Sequence, residues 1–144
     1  MESRFLRILL VEDDKIDVEF FLRCLQMQGS SLEVTVAEDA LKALRILRGG
    51  PGQPPLKGPY VILLDPHLPG MNGFEFLQEL RSDPRLKASI VFVLSASASA
   101  NDHQRAYEYG IAGFLRKTVF TDYCAPLIHL LETYRDLVEV PILR

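Results

Sequence analysis

Charged and hydroxyl side chains stand at the points where four apolar segments of this chain end. In chain order they are Glu12, Asp13, Asp65, Ser95 and Lys117. If these ends lie together, three carboxylates meet, and a hard cation with oxygen ligands such as Mg²⁺ would offset their repulsion. A carboxylate can also accept a phosphoryl group, whose charge a divalent cation and an ammonium stabilise during transfer. The set therefore predicts phosphoryl acceptance onto Asp65, with Ser95 as a hydrogen-bond donor to a phosphate oxygen.

Asp65 stands between an apolar run and a group of turn-forming residues. The run Val61–Leu64 precedes it, and residues 66–73 contain two prolines, two glycines and an asparagine. Such a run is typical of a strand buried on both faces of a parallel sheet. The carboxyl edge of that sheet is where open α/β folds place ligands. On this segment alone, an aspartate that only begins a turn is an equal alternative, and the other strand ends favour the site.

The rest of the chain alternates between strand and helix patterns. Apolar runs or alternation predict strands, and apolar residues at i, i+3, i+4 and i+7 predict helices. The predicted strands cover residues 5–11, 32–36, 61–64, 89–95 and 113–117. The predicted helices cover residues 15–28, 40–47, 73–82, 101–109 and the segment from 122 onwards. Residues 49–59, rich in glycine and proline, are expected to form a surface loop.

Five βα units in succession predict an α/β fold with a parallel sheet and helices on both faces. Right-handed crossovers then restrict the topology to a doubly wound five-stranded sheet. The flavodoxin-like strand order 2-1-3-4-5 places the ends of the first and third strands at the switch point. This order would bring Glu12, Asp13 and Asp65 to one place.

Composition restricts the class of protein. The chain has 144 residues, 48% hydrophobic and 24% charged, as expected of one globular domain. A net charge of −3 gives no reason to expect nucleic-acid binding. No apolar run approaches the roughly 20 residues of a membrane span, and we expect no signal peptide before the first strand. Cys24 and Cys124 lie far apart in helical patterns, so we expect reduced, buried thiols in a cytoplasmic protein.

The motifs at the strand ends resemble those of the receiver domain of two-component response regulators, the CheY-like family. The resemblance covers residues 5–135 and rests on four groups: Val11-Glu12-Asp13, Leu64-Asp65 with Leu68-Pro69 and Gly73, Ser95-Ala96, and Gly113 to Lys117. Each motif alone is weak, whereas their combination in this order is specific. The resemblance implies a single receiver domain over residues 1–144 with the CheY-like (βα)5 fold.

The resemblance implies a phosphoacceptor rather than an enzyme. Asp65 would take a phosphoryl group from a histidine on a sensor histidine kinase, as a step of a phosphorelay. At most, the protein would also take phosphoryl from small donors and slowly hydrolyse its own aspartyl-phosphate. Mg²⁺ would be bound by Asp65, by Asp13 directly, by Glu12 mostly through water, and by the backbone carbonyl of His67.

The family also implies a switch. Ser95, the N–H of Ala96 and Lys117 would contact the phosphoryl group. Phe114 matches an aromatic position that moves inward when Ser95 is drawn to the phosphate. Phosphorylation would thus shift the balance between two positions of Ser95 and Phe114 and so change a protein-interaction surface.

Three positions near the site depart from the family pattern. Pro66 has no N–H, but the family uses the N–H two positions after the acceptor, which is that of His67. The His67 side chain is expected to point to solvent. Thr118 stands where the family usually has a proline in a cis bond. A cis bond without proline is costly, so the Lys117–Thr118 bond is either trans or strained.

The end of the chain bears on partners. Only one helix and a tail follow Lys117, so we expect a stand-alone response regulator. Residues 136–144 form an apolar C-terminal extension that needs burial on its own domain or on a second copy. The long loop and the tail are similar to small receivers of phytochrome-type sensor kinases, which dimerise through the last strand, last helix and tail. We expect that homodimer, with a tail packed on its own last helix as the alternative.

Two other functions compete with the phosphorylatable switch. A pseudo-receiver would keep the fold as a dimerisation or docking module independent of phosphorylation, but it would need none of the charged residues at the strand ends. A hydrolase with an aspartate nucleophile usually carries a second carboxylate two residues later, where this chain has His67.

Overall fold

The computed structural model describes residues 5–96, 99–117 and 124–141, and these form five strands and five helices in alternation. The strands are β1 (Arg7–Val11), β2 (Glu33–Ala37), β3 (Tyr60–Leu64), β4 (Ile90–Ser95) and β5 (Gly113–Arg116). The helices are α1 (Lys15–Met27), α2 (Ala40–Arg48), α3 (Gly73–Ser82), α4 (Ala100–Glu108) and α5 (Ala125–Leu137). The predicted order of elements is confirmed, with boundaries that differ by a few residues.

The strands form one parallel sheet in the order β2-β1-β3-β4-β5. The predicted doubly wound topology is therefore confirmed. The central strand β3 is buried along its whole length, as its unbroken apolar sequence predicts. In the register with β1, Val11 lies opposite Leu64, so both strands end at the same level.

Two apolar layers cover the sheet because successive side chains of a strand point to opposite faces. On β3, Ile62 and Leu64 pack on one side with α2, α3 and α4, whereas Val61 and Leu63 pack on the other with α1 and α5. The second layer contains Phe21 and, from α5, a set of buried aliphatic residues: Leu127, Ile128 and Leu131. Each helix is therefore fixed to the sheet by burial of one apolar face.

Helix caps place the starts of α1 and α3 close behind the strand ends. Asp14 caps α1, and its Oδ1 accepts hydrogen bonds from the N–H groups of Ile16 (2.9 Å) and Asp17 (3.3 Å). Asn72 caps α3 in a reciprocal capping box with Glu75. Among the described residues, no helix is both long and apolar enough to cross a bilayer.

The expectation of two free thiols is wrong. Cys24 of α1 and Cys124, the residue before α5, form a disulfide with their Cα atoms 5.6 Å apart. Both residues are buried. The two cysteines are distant in sequence, but α1 and α5 lie side by side on the same face of the sheet and bring them together. The sequence pattern gave their burial but not this pairing.

Reduction of the Cys24–Cys124 disulfide should lower the free energy of unfolding. The bond spans 100 residues, and a cross-link of long span typically stabilises a domain by about 2–4 kcal/mol. Urea unfolding followed by circular dichroism, with and without dithiothreitol, measures the difference. A double variant, Cys24→Ala with Cys124→Ala, should not respond to dithiothreitol. Equal unfolding midpoints for the oxidised and reduced wild-type protein would contradict the prediction.

Candidate functional site

The carboxyl edge of the sheet brings the predicted site residues to one side of the molecule. Glu12 and Asp13 follow β1, and Asp65 follows β3, its neighbour in the sheet. The ladder continues one step past the strands, because the N–H of Asp65 donates to the carbonyl of Val11 at 3.0 Å. The parallel register therefore sets the acceptor beside the acidic pair. Lys117 directly follows β5 and reaches the same place with its long side chain.

Three carboxylates form a compact acidic group. Ligand oxygens of Glu12, Asp13 and Asp65 lie within 4.8 Å of one another. Glu12 and Asp65 are buried, and Asp13 is exposed. The Oε2 atom of Glu12 is buried without a hydrogen-bond partner within the described part of the chain. A buried carboxylate oxygen without a donor is costly unless a cation meets it, so the oxygen set suits a hard divalent cation.

Lys117 is the counter-ion of this group. Its ammonium donates to Asp65 Oδ2 at 3.0 Å, to Asp17 Oδ2 at 2.9 Å, and to Glu12 Oε1 in a short contact. The Lys117 side chain is only 15% exposed, so solvent screens these ion pairs weakly. Asp17, in the first turn of α1, was not predicted to belong to the site.

Burial and the neighbouring charges shift the pKa values of the site residues in different directions. Burial, together with hydrogen bonding to Asp65, raises the pKa of Glu12 to about 9. Burial alone would also raise the pKa of Asp65, but hydrogen bonds with Glu12, the N–H of His67 and Lys117 lower it below its ordinary value. The pKa of Lys117 is raised, because its carboxylate partners outweigh the effect of burial. At neutral pH the acceptor Asp65 is ionised while Glu12 holds a proton.

The loop after the acceptor is fixed by backbone contacts. The N–H of His67 donates to Asp65 Oδ1 at 2.8 Å, so Pro66 removes no donor that this carboxylate uses. The N–H of Gly73 donates to the carbonyl of Pro66 at 3.0 Å. A Cβ atom on Gly73 would lie 2.5 Å from the Cα of Pro66, so only glycine allows α3 to begin this close to the acceptor.

The predicted phosphoryl-contacting and switch residues lie around β4 and β5. Ser95 is buried at the end of β4, and Ala96 follows it exposed. Phe114 of β5 is partly buried, with its ring centroid 4.3 Å from that of His103 on α4. Its N–H donates to the hydroxyl of Tyr107, also on α4, at 3.2 Å. The phosphoryl-contacting and switch roles of these residues stay predictions, and Thr118 lies outside the described residues.

Sequence reasoning missed Asp17, although a signal was present. Asp17, Phe21 and Cys24 are spaced i, i+4 and i+7, which places them on one face of α1. Phe21 and Cys24 are buried, so this is the inner face of the helix. An acid on an inward-facing helix position needs a partner, and Lys117 is that partner.

Comparisons with known proteins agree with this geometry. The family described as "Response regulator receiver domain" matches residues 8–124. Response regulator Rcp1 of Synechocystis sp. is 33% identical over 111 residues, which cover 77% of this chain and 76% of that protein. The crystal structure of the Mn²⁺-bound form of Rcp1 superposes with a TM-score of 0.76 at 29% identity, covering 94% of this chain and 98% of that one. The phosphorylated cyanobacterial phytochrome response regulator RcpA gives a TM-score of 0.76 at 29% identity, with coverages of 91% and 94%.

Binding of a divalent cation should release about one proton near neutral pH. Without a cation the pKa of Glu12 is about 9, so Glu12 is protonated at pH 7–8, and a bound cation favours its ionised form. Affinity should therefore rise as pH increases from about 6 towards 9 and level off above that. Calorimetric titration with Mg²⁺ in two buffers of different ionisation enthalpy measures the released protons. Glu12→Gln should release none, and a wild-type heat that is independent of the buffer would refute the prediction.

Proposed function

This chain belongs to the response regulator receiver family, and from that membership we propose that Asp65 accepts a phosphoryl group from a sensor histidine kinase with Mg²⁺ as the cation. Members of the family are phosphoacceptors rather than classical enzymes, and they act with sensor histidine kinases. The observation that carries the proposal is the environment of Asp65. This carboxylate lies 3.0 Å from the Lys117 ammonium and within 4.8 Å of ligand oxygens of two further acids.

The chemistry of transfer follows from that environment. An oxygen of the ionised Asp65 attacks the phosphorus of a phosphohistidine, the P–N bond breaks, and the imidazole leaves with the electron pair. Glu12, Asp13, Asp65 and the carbonyl of His67 would hold Mg²⁺, which would supply positive charge for the transfer. Lys117, 3.0 Å from Asp65, supplies a second positive charge. The N–H of His67, now bonded to Asp65, holds the attacking carboxylate in place.

Phosphorylation would change the positions of side chains on β4 and β5. The Ser95 hydroxyl and the N–H of Ala96 would bind phosphoryl oxygens, and movement of Ser95 would leave room for Phe114 to turn inward. In the present structure the Phe114 ring packs against His103, and Tyr107 accepts the hydrogen bond from the Phe114 N–H. Inward movement of Phe114 would break the first contact, so α4 and β5 form the surface that changes.

A pseudo-receiver is the less favoured alternative. A docking module independent of phosphorylation gains nothing from two buried acids, Glu12 and Asp65, placed with their oxygens close together. Leaving such a group in the interior lowers stability. Its presence is explained if the site binds a cation.

The kinase is proposed to be of the phytochrome type. This proposal rests on similarity to RcpA, which is described as a phytochrome response regulator. The similarity extends over 91% of this chain and 94% of that one.

We also propose a homodimer formed through β5, α5 and the tail. Leu137 ends α5 with 76% of its surface exposed, and β5 is an edge strand that pairs only with β4. Val138 is partly buried, and Val140 packs against the core cluster that includes residues of α5. The tail therefore covers part of its own domain, as the alternative predicted, but leaves Leu137 for a second copy. Residues 142–144 of the predicted extension lie outside the described residues.

Phosphoryl acceptance predicts a single added phosphoryl group on the wild-type protein. Incubation with Mg²⁺ and acetyl phosphate, followed by intact-mass analysis, detects it, and Asp65→Asn should show none because the accepting oxygen is gone. Omission of the cation with EDTA should also abolish the addition. A folded wild-type protein that stays unmodified with both reagents present would favour the pseudo-receiver.

Dimerisation through Leu137 predicts that a charge at this position separates the two copies. Burying an unpaired carboxylate in an apolar contact is unfavourable, so Leu137→Glu should weaken the dimer at least about tenfold, a change of about 1.4 kcal/mol. Sedimentation equilibrium measures the dissociation constant. Leu41→Glu is the matched control, because Leu41 is 61% exposed on α2 away from the proposed contact. A monomeric wild-type protein would overturn the proposal.

A further inference from the structure

A fourth carboxylate, Asp17, reaches the acceptor site from α1. We propose that Asp17 is a positioning residue that holds the Lys117 ammonium beside Asp65 before, during and after phosphoryl transfer. This inference rests on the proposed function of Asp65. It adds to the site a residue on a helix, whereas the predicted charged residues all lie at strand ends. Asp17 is not one of the three acids whose oxygens form the acidic group, although it interacts with Glu12 of that group.

The ammonium of Lys117 has three N–H donors, and each is directed to a different carboxylate. The partners are Glu12, Asp17 at 2.9 Å and Asp65 at 3.0 Å. A cation at the acidic group would draw the oxygens of Glu12 and Asp65 towards itself, since both belong to that group. Asp17 is outside the group. Of the three carboxylate partners described for Lys117, Asp17 is therefore the one that would bind neither the cation nor the phosphoryl group.

The helix that carries Asp17 is fixed to the core and to α5. On the same face of α1, Phe21 is fully buried and Cys24 is joined to Cys124 ahead of α5. Beyond the end of α1, the Ser30 hydroxyl meets Glu132 of α5 at 3.4 Å. A rigid helix can hold a flexible side chain, because its carboxylate loses little freedom on forming the ion pair.

A simpler explanation is that Asp17 only stabilises its own helix. An acid in the first turn interacts favourably with the helix dipole, and Asp17 lies in the first turn of α1. That role requires no particular partner and would not affect the reactivity of Lys117. The two explanations therefore differ in what happens at the Lys117 amine when the charge of Asp17 is removed.

The experiment measures the Lys117 amine directly and phosphorylation separately. In EDTA, the protein is acylated with an N-hydroxysuccinimide ester, and peptide mass spectrometry follows the modification rate of Lys117. In Mg²⁺, the rate constant and the half-saturating concentration for acetyl phosphate are measured by intact mass. The variants are Asp17→Asn, Asp17→Glu and, as a matched loss of charge on the exposed face of α1, Glu19→Gln.

Loss of the Asp17 charge should release Lys117. In Asp17→Asn we expect acylation of Lys117 to be faster by about threefold, because an amine that loses the hydrogen bond to Asp17 is held less firmly and is more accessible to the reagent. The phosphorylation rate constant should fall by about tenfold with little change in half-saturation, as expected for an interaction that matters in the transition state. Asp17→Glu should recover part of both effects, and Glu19→Gln should match the wild type.

The acylation rate decides the proposal. If Lys117 in Asp17→Asn is acylated at the wild-type rate, Asp17 does not position it, whatever the phosphorylation rate. If the acylation rate rises but the wild-type protein accepts no phosphoryl group, the proposed function of Asp65 fails while the Asp17–Lys117 contact stands. Equal unfolding midpoints for the variants and the wild type exclude a general loss of structure.

Discussion

Repulsion among carboxylates is the constraint on which the site depends. Glu12, Asp17 and Asp65 surround the ammonium of Lys117, and an oxygen of Asp13 lies within 4.8 Å of oxygens of Glu12 and Asp65. One positive charge cannot neutralise four negative ones at these distances, and burial makes the imbalance more costly. The protein reduces it by keeping a proton on Glu12, whose pKa is about 9. The same imbalance favours the binding of a divalent cation at the acidic group.

The scaffold holds these repelling groups together because the attractive forces lie elsewhere. β3 is buried on both faces, and its register with β1 fixes Asp65 beside Glu12 through backbone hydrogen bonds. The close approach of Gly73 to Pro66 fixes the loop that follows. Hydrophobic burial of the sheet and helices supplies the stability. The charged edge of the sheet lowers that stability locally through repulsion among its carboxylates.

The sequence was sufficient for the fold and for most of the strand-end residues. Each βα unit has its own local pattern, and parallel topology then determines that residues such as Asp65 and Lys117 share one edge. The sequence was insufficient for contacts between helices and the sheet. The pairing of Cys24 with Cys124 depends on how α1 and α5 lie side by side, and no local periodicity encodes that arrangement. The contact of Asp17 with Lys117 was missed for the same reason.

β5 connects the charge at the site to the surface that would change. Lys117 directly follows β5, and Phe114 lies within it. On one side, Lys117 is held by carboxylates from β1, β3 and α1. On the other, α4 binds Phe114 through a ring contact with His103 and through the hydroxyl of Tyr107. The proposed switch uses this connection. A redistribution of charge around Lys117 would act at one end of the strand whose Phe114 contacts α4, and the proposal therefore assigns the output to the α4–β5 surface.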